Sequence, residues 1–359
     1  MPASSLPAAG TPLVSIVVPA YNGERFLRLS LDSIVAQTYP NREILVMDDG
    51  STDGTEAIAR SYGDRVVYYR QPRNRGQFQN VGDGIARARG EYIAVYHADD
   101  IYHPEIVERE VAFLEKYPEA AAVFAKQIFI DAEGKEWGRL HLAPEIPVGV
   151  PVGYESILNT LLRYKNCIFP APSSMIRARV YRGTGPYRGG EYPVAADFEM
   201  FFRIAREHPV GLLDEHLFRY RWGHGNADQL DRLLRTVPHP YFAIMDNHLA
   251  AGGRALARAD SLAAHEAHRG EDAVIRAINC YIMKRRGEMP AILRETSTGR
   301  LLASAKIQRW RVTALYFALR LLARLPQMSA GVRVLRRRWY GKVPDAVIDK
   351  AVRARSGAA

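Results

Sequence analysis

The chain has 359 residues, of which 47% are hydrophobic and 25% are charged, as in a soluble globular domain with an appendage. Its two cysteines, Cys167 and Cys280, lie far apart and outside any CxxC pattern, which argues against a disulfide framework or a cysteine-based zinc site. The formal charge of +10 comes from the C-terminal region, because 18 Lys and Arg residues stand against four Asp and Glu from Lys284 onward.

The N-terminal stretch carries no targeting signal that we recognise. Residues 1–12 lack the basic start and the apolar run of a secretory signal, and we expect them to form a disordered lead. No segment offers the ~20 uninterrupted apolar residues of a membrane span. We therefore expect a cytoplasmic protein whose basic C-terminal region lies peripherally on the inner face of the membrane.

Strand and helix patterns alternate four times in the first hundred residues. The run "LVSIVV" predicts a strand covered on both faces, and "REILVMDDG", "DRVVYYRQ" and "YIAVYHADD" predict three more, with helical patterns between them. This alternation predicts an α/β fold with a Rossmann-like, mostly parallel sheet flanked by helices.

The pattern changes after residue 103. Helices are predicted in "PEIVEREVAFLEKYP", "YESILNTLLRY" and "VAADFEMFFRIAREH", strands in "AAVFAKQIFI" and "EHLFRYRW", and a Pro- and Gly-rich loop runs through residue 153. Beyond residue 227 strand patterns nearly vanish, and helical patterns rich in Leu, Ala and Arg follow. We expect a catalytic domain and a helical, basic C-terminal extension, at 13–226 and 227–359.

Acidic pairs follow two of the predicted strands. Ligands of open parallel sheets bind beyond the carboxyl ends of the strands, so Tyr21, Asp48 with Asp49, and Asp99 with Asp100 should converge on one crevice. Adjacent carboxylates repel each other, and a pair in a crevice suits Mg²⁺ or Mn²⁺, which substrate phosphates then complete. Either pair could instead be a solvated turn or a helix cap.

Several motifs together indicate a family. "VSIVVPAYNGERFLRLSLDSIVAQTYPNREILVMDDGSTDGT" and "NRGQFQNVGDGIARARGEYIAVYHADD" resemble family 2 of the nucleotide-sugar glycosyltransferases, motif by motif and in order. The resemblance continues in "PSSMIRARVYRGTGPYRGGEYPVAADFEMFFRIA" and "LFRYRWGHGN". It implies a GT-A fold, with a nucleotide-binding half at 13–103 and an acceptor half at 104–226.

The resemblance also implies roles for single residues. Tyr21 and Asp49 match positions that hold the nucleotide base, by stacking and by hydrogen bonding. Asp99 matches the metal-binding acid of the D-x-D motif, with Asp100 beside it, and the implied ion is Mn²⁺ or Mg²⁺. Asp197 takes the place of the general base that deprotonates the acceptor hydroxyl.

A segment near the end of the domain completes the implied donor site. Arg221 and His224, followed by Asn226, match family residues that close over the diphosphate. Arg221 could equally form a surface ion pair.

Two positions depart from the family pattern. His97 stands where the family often has an acid near the ribose, and an imidazole can replace that contact by hydrogen bonding; direct metal ligation is the alternative. Ala196 stands where the family more often has Glu, before Asp197. Glu199 is a fallback base, and helix capping is an alternative role for Asp197.

The basic segment "KIQRWRVTALYFALRLLARL" is too charged for a membrane span and too apolar for a simple solvated helix. We expect an amphipathic segment on an anionic leaflet. A helix packed on the catalytic domain with its arginines in water is the alternative. No recognition motif supports nucleic-acid binding, so we expect none.

These observations predict a metal-dependent, inverting glycosyltransferase. It would move a sugar from a nucleotide-sugar donor, expected to be a UDP-sugar, to a glycan or lipid-linked acceptor in bacterial-type surface polysaccharide or glycoconjugate synthesis. One alternative is a catalytically silent subunit that binds nucleotide or membrane. Another is a sugar-phosphate nucleotidyltransferase, although "PAYNGERF" lacks the glycine-rich, basic phosphate loop of that class.

Overall fold

A computed structural model gives the fold of two separate units. The chain divides by its internal contacts into Met1–Trp222 and Gly223–Ala359. His224 and the expected domain boundary at residue 226 lie outside the described residues, as does most of the predicted lead. The structure describes residues 10–222, 234–302, 308–325, 331–332 and 334–335.

Four parallel strands form the first half of the central sheet. In chain order they are β1 (Val14–Ala20), β2 (Arg42–Asp48), β3 (Val67–Arg70) and β4 (Tyr92–Val95). They lie side by side in the order β3-β2-β1-β4. The connecting helices are α1 (Leu27–Val35), α2 (Thr55–Arg60) and α3 (Gln77–Arg87), with a 3-10 turn at Gly63–Arg65. The predicted alternation of strands and helices is therefore confirmed.

The second half of the sheet is mixed. Ser174–Arg177 (β9) pairs antiparallel with both β4 and Ala122–Ile130 (β6), whereas Val210–Arg221 (β10) runs parallel to β6. The predicted parallel pairing is therefore found among β1 to β4 and between β6 and β10, while the other strand pairs of this half are antiparallel. The elements of this half are β5 (Ile101–Tyr102), α4 (Ile106–Lys116), β6 (Ala122–Ile130), β7 (Glu136–Arg139), β8 (Pro151–Val152), α5 (Tyr154–Tyr164), a 3-10 turn (Ala171–Ser173), β9 (Ser174–Arg177), α6 (Ala178–Thr184), α7 (Ala196–Glu207) and β10 (Val210–Arg221).

Helices pack closely on both faces of the central sheet. Ile16 and Val17, neighbours on β1, are both fully buried, because helices cover the two faces of the sheet. α3 approaches so closely that a Cβ on Gly84 would lie 2.4 Å from Cγ1 of Val17. On the other half, a Cβ on Gly211 of β10 would lie 2.1 Å from the ring of Phe113 on α4. Glycine at these two positions therefore sets the distance between helix and sheet.

The described part of the second unit is helical, as predicted. A buried ion network lies inside it, in which Arg276 pairs with Asp272 and Glu295, and Arg235 also pairs with Asp272. No described helix is both long enough and apolar enough to cross a membrane. The helices are α8 (Pro240–Ala250), α9 (Ala259–Ile282), α10 (Met289–Arg294), α11 (Thr298–Leu302) and α12 (Gln308–Leu322), with 3-10 turns at Gly253–Ala255 and Arg286–Glu288.

Candidate active site

The loops that follow β1 and β2 are joined by hydrogen bonds. Asn22, whose φ is +47°, donates its backbone N–H to Ser51 Oγ at 2.9 Å and accepts the Thr52 N–H on its side-chain oxygen at 2.9 Å. Gly23 donates to Thr55 Oγ1 at 2.8 Å. Tyr21 lies beside this junction with about half of its surface exposed (51%). Its ring is therefore available to stack on a ligand, as predicted for a nucleotide base.

The pair Asp48 and Asp49 is fully engaged in holding its own surroundings. Asp48 accepts from the Ser51 N–H at 2.8 Å and from the Tyr68 hydroxyl. Asp49 accepts from the backbone N–H groups of Arg75 at 2.8 Å and Gly76 at 2.9 Å, just before α3 begins. All four carboxylate oxygens thus have donors from the protein, and Asp49 ties the β2 end to the start of α3. Because each oxygen has a second lone pair, Asp49 can still accept from a base N–H.

The turn after β4 carries a different arrangement of carboxylates. His97, Asp99 and Asp100 each offer one ligand atom, and these three atoms lie within 4.8 Å of one another. Asp100 is fully buried; its Oδ1 accepts the backbone N–H of Arg221 at 2.8 Å. Among the described residues its Oδ2 has no hydrogen-bond partner, and it lies 3.9 Å from His97 Nδ1. A buried acceptor without a donor is costly, and either a proton or a cation at this oxygen would satisfy it.

The electrostatics of this turn agree with its geometry. Burial raises the pKa of Asp100 well above its usual range, and the neighbouring Asp99 carboxylate raises it further, while Arg221 opposes the shift. Burial lowers the pKa of His97, against the opposing charges of Asp99 and Asp197. A neutral imidazole has a lone pair for a ligand bond. The donor set therefore fits a divalent cation held by Asp99 and Asp100, and it places His97 where it can be a further ligand.

Two neighbouring elements hold the backbone of this turn. Ser30 of α1 donates its hydroxyl to the His97 carbonyl at 2.8 Å. Tyr102 of β5 accepts the His97 N–H on its hydroxyl at 2.6 Å, and its ring stacks on that of Tyr96 with centroids 4.1 Å apart. Sequence reasoning missed Ser30 and Tyr102, because their roles depend on contacts between distant parts of the chain.

Asp197 lies in the first turn of α7 and is half-buried. Its Oδ1 accepts the N–H of the next residue, Phe198, at 2.7 Å; the N-cap of this helix is Ala195, so the bond is not the one that the capping alternative requires. Its charge also acts on the His97 imidazole and on the phenols of Tyr181 and Tyr187. The structure therefore brings Asp197 into the same polar region as the turn after β4.

The fallback base Glu199 has another role in the structure. It is buried and forms a two-point ion pair with Arg203, with both distances at 3.0 Å, while Arg188 lies 3.3 Å from Oε1. These two guanidinium groups engage both of its carboxylate oxygens, so the side chain is held in an ion pair. Asp197 is the better candidate for the base.

Arg221, predicted to contact the diphosphate, is buried at the end of β10. Its guanidinium donates to the backbone carbonyls of Asp99, Asp131 and Ala132 and lies over the ring of Phe26. Its neighbour in the prediction, His224, lies outside the described residues. Nothing in the sequence signals the Phe26 contact, since the two residues lie almost two hundred positions apart.

Comparison with known proteins identifies the family. The model of glycosyl transferase family 2 matches residues 15–185. The putative glycosyltransferase EpsE of Bacillus subtilis is 32% identical over 216 residues, which is 58% of this chain and 73% of that protein. An uncharacterized glycosyltransferase of Rickettsia felis is 31% identical over 214 residues, 59% of this chain and 34% of that protein. The chain thus spans about a third of the length of this Rickettsia relative.

Solved structures show the same fold. Staphylococcus aureus TarS aligns with a TM-score of 0.55 at 15% identity, covering 86% of this chain and 53% of that one. A crystal structure of TarS residues 1–349 in complex with UDP aligns with a TM-score of 0.51 at 16% identity, covering 88% and 92%. The likeness confirms the GT-A fold with C-terminal helices. With the family match and the curated relatives, it follows that the chain belongs to glycosyl transferase family 2.

Proposed function

We propose that the chain is a metal-dependent, inverting glycosyltransferase that moves a sugar from a UDP-sugar to a glycan or lipid-linked acceptor. One observation carries the proposal: the cation-suited cluster of His97, Asp99 and Asp100 lies within electrostatic reach of Asp197. A metal-binding turn and a candidate base in one region are what glycosyl transfer requires.

The donor would bind across the ends of β1, β2 and β4. Tyr21 offers an exposed ring for the base, Asp49 offers an acceptor in a rigid loop, and Asp99 with Asp100 would hold Mn²⁺ or Mg²⁺ against the diphosphate. The UDP complex of TarS, which has the same fold, supports uridine as the base. In this proposal residues 13–103 bind the nucleotide and residues 104–226 bind the acceptor.

In this proposal the chain's own residues hold the ion and accept one proton. When bound, the ion neutralises charge that develops on the leaving diphosphate. Asp197 removes the proton from the acceptor hydroxyl as that oxygen attacks the anomeric carbon. Because no second carboxylate is assigned as a nucleophile, acceptor and leaving group take opposite faces of the sugar and the configuration inverts.

The test is release of UDP from UDP-glucose, UDP-galactose and UDP-N-acetylglucosamine in the presence of Mn²⁺. D197N should lower the turnover number by about 10²- to 10⁴-fold and leave UDP binding unchanged, as expected when a general base is lost. E207Q is the matched control, since Glu207 is exposed at the far end of the same helix. If D197N turns over like the wild type, Asp197 is a cap and not the base. If the wild type binds UDP but releases none, the silent-subunit alternative is favoured.

The C-terminal region supplies a second part of the proposal, a peripheral membrane contact. α12 buries Thr313, Tyr316 and Leu319, while Phe317 and Leu321 are 57% and 60% exposed. The helix therefore packs within its own unit through these buried residues and presents Phe317 and Leu321 on its exposed side. Such a face on a strongly basic region suits an anionic leaflet, where a lipid-linked acceptor would be found.

Sedimentation with vesicles tests this contact. Binding to vesicles that contain phosphatidylglycerol should exceed binding to phosphatidylcholine alone. F317S with L321S should reduce it about 30-fold, since about 1 kcal/mol is lost for each of the two removed anchors. V237S is the control, because Val237 is 64% exposed but lies off α12. Equal binding of the α12 variant and the V237S control would rule out this face as the anchor.

A further inference from the structure

Arg221 contacts three separate segments of the first unit. Its backbone N–H donates to Asp100 Oδ1 at 2.8 Å, and its Nε donates to the Asp99 carbonyl at 2.9 Å. Its Nη1 donates to the carbonyls of Asp131 and Ala132, both at 3.0 Å. These acceptors belong to the turn after β4 and to the hairpin between β6 and β7.

The same guanidinium lies over an aromatic ring. The Arg221 Cζ is 4.5 Å from the ring centroid of Phe26, which directly precedes α1 and follows the loop that carries Tyr21. The residue is almost fully buried (2% exposed). A buried guanidinium loses its hydration, and here backbone carbonyls and a ring face replace it. The planar fork can reach two carbonyls and a third in a different direction, which a lysine ammonium on a flexible stem does not reproduce.

We infer that Arg221 is a positioning residue for the metal-binding turn and does not contact the diphosphate. Its backbone fixes one oxygen of Asp100, which directs the other, unpartnered oxygen toward His97. Its side chain fixes the Asp99 carbonyl and ties the turn to the β6–β7 hairpin in the acceptor half. The inference rests on the proposed function in one respect, namely that this turn binds a divalent cation with the nucleotide.

The geometry thereby links the two halves of the domain. The turn after β4 belongs to the nucleotide half, and the 131–135 hairpin belongs to the acceptor half. Exposed Arg25 and Glu133, 3.7 Å apart, form a second contact between this hairpin and the loop that follows β1. Surface pairs of this kind contribute little, so Arg221 is the stronger of these two contacts of the hairpin, in addition to the strand pairing that joins the halves.

The experiment compares R221K with R219K. Arg219 lies on the same strand but is exposed and pairs with Glu136 at 3.1 Å, so R219K controls for charge and for the substitution itself. Two quantities are measured on the full chain: the Mn²⁺ dissociation constant at saturating UDP, by electron paramagnetic resonance, and the UDP dissociation constant in EDTA, by calorimetry. Circular dichroism checks that each variant is folded.

For R221K we expect the Mn²⁺ dissociation constant to rise about 10- to 100-fold, as when groups that orient metal ligands are altered. The UDP dissociation constant in EDTA should stay within twofold of the wild type, and R219K should change neither value. Weaker UDP binding in EDTA with an unchanged Mn²⁺ constant would overturn the inference and restore the diphosphate contact. No change in either constant would overturn it as well.

A second variant keeps the test decisive if R221K does not fold. F26L keeps an apolar side chain but removes the ring beneath the guanidinium, and we expect the Mn²⁺ constant to rise about two- to fivefold. An unchanged constant in F26L would then overturn the inference. Failure of the proposed function gives a different result, because the wild type itself would show no difference between Mn²⁺ and EDTA in its affinity for UDP.

Discussion

Two Asp-Asp pairs lie at the carboxyl ends of the two strands that flank β1, and their surroundings differ. Asp48 is the last residue of β2 and Asp49 follows it, and each of their four carboxylate oxygens accepts a hydrogen bond from the protein. Asp99 and Asp100 lie in the turn after β4, and there a buried oxygen of Asp100 has no hydrogen-bond partner among the described residues. The first pair builds a rigid loop, and the second pair is suited to bind a cation.

The difference shows that the Asp-Asp sequence alone does not determine whether a pair stabilises a loop or suits a cation. What decides it is the supply of donors: Ser51, Tyr68, Arg75 and Gly76 satisfy the first pair, whereas the second has a histidine and a buried backbone N–H beside it. A carboxylate satisfied by fixed N–H groups stabilises a fold, and one left partly unsatisfied stabilises a ligand. Four predictions break or sharpen this comparison.

The largest difference should come from D100N against D48N. D100N should weaken Mn²⁺ binding at least tenfold, since a charged ligand is replaced by an amide. D48N should leave the Mn²⁺ dissociation constant unchanged and lower the free energy of unfolding by about 1–3 kcal/mol, because buried donors lose their charged acceptor. Mn²⁺ titration and urea unfolding of both variants measure the two effects. Equal Mn²⁺ affinity of D100N and wild type would contradict the division of roles.

A smaller effect is expected for D49N, which tests whether the loop-building pair also serves the nucleotide. Asp49 holds the residues before α3 and is the proposed acceptor for the base. D49N should weaken UDP binding by about 1–3 kcal/mol to the same extent in Mn²⁺ and in EDTA. Calorimetry of UDP binding with Mn²⁺ and with EDTA measures both affinities. A loss seen only with Mn²⁺ would mean that the first pair also contributes to the cation site.

The glycine after the first pair gives a prediction about rigidity. Gly50 has φ +77°, and a Cβ there would lie 2.8 Å from the backbone carbon of Arg73. Gly63 has φ +56° and open space around it, so it is the control for backbone strain alone. Both alanine variants should lose about 1 kcal/mol through strain, and G50A should lose more because the clash is with backbone. If thermal unfolding shows G63A to be less stable than G50A, the close approach of Gly50 to Arg73 is contradicted.

A third buried carboxyl, Glu110 of α4, extends the comparison to the pH dependence of stability. Burial raises its pKa well above the usual value, with only the Tyr96 hydroxyl as donor, at 3.0 Å. The folded state therefore holds a proton that the unfolded state releases near pH 4.5, so this group makes stability fall as pH rises above that value. E110Q cannot ionise and should lose less stability than the wild type between pH 5 and pH 8. If the free energies of unfolding of E110Q and of the wild type change in parallel with pH, Glu110 is not neutral in the folded protein.

The sequence predicted the fold well where patterns were local. β-branched runs such as "LVSIVV" and the helix "YESILNTLLRY" lie within a few residues of the observed elements. β5 and β8 were missed because two residues give no periodicity, and β7 was missed because "EWGR" is mostly exposed and lacks an apolar alternation. The antiparallel placement of β9 depends on contacts between distant segments, which a local pattern does not contain.

The site was predictable in its residues and less so in their roles. The strand-end rule located Asp49, Asp99 and Asp100, and the family resemblance added Asp197. The same reasoning could not tell that Asp49 has donors on both oxygens or that Arg221 points into the protein. Those facts depend on Arg75, Gly76 and Phe26, which carry no motif and meet the site only after folding.

The most direct test of the metal-dependent donor site is calorimetric binding of UDP to the wild-type chain, with Mn²⁺ and again with EDTA, beside GDP, CDP and dTDP. We expect UDP to bind most tightly with Mn²⁺ and to lose at least tenfold in affinity in EDTA, the range typical of a ligand-bridging ion. Equal UDP affinity in Mn²⁺ and EDTA, or no binding of any of the four nucleotides, would contradict a donor site built on Asp99 and Asp100.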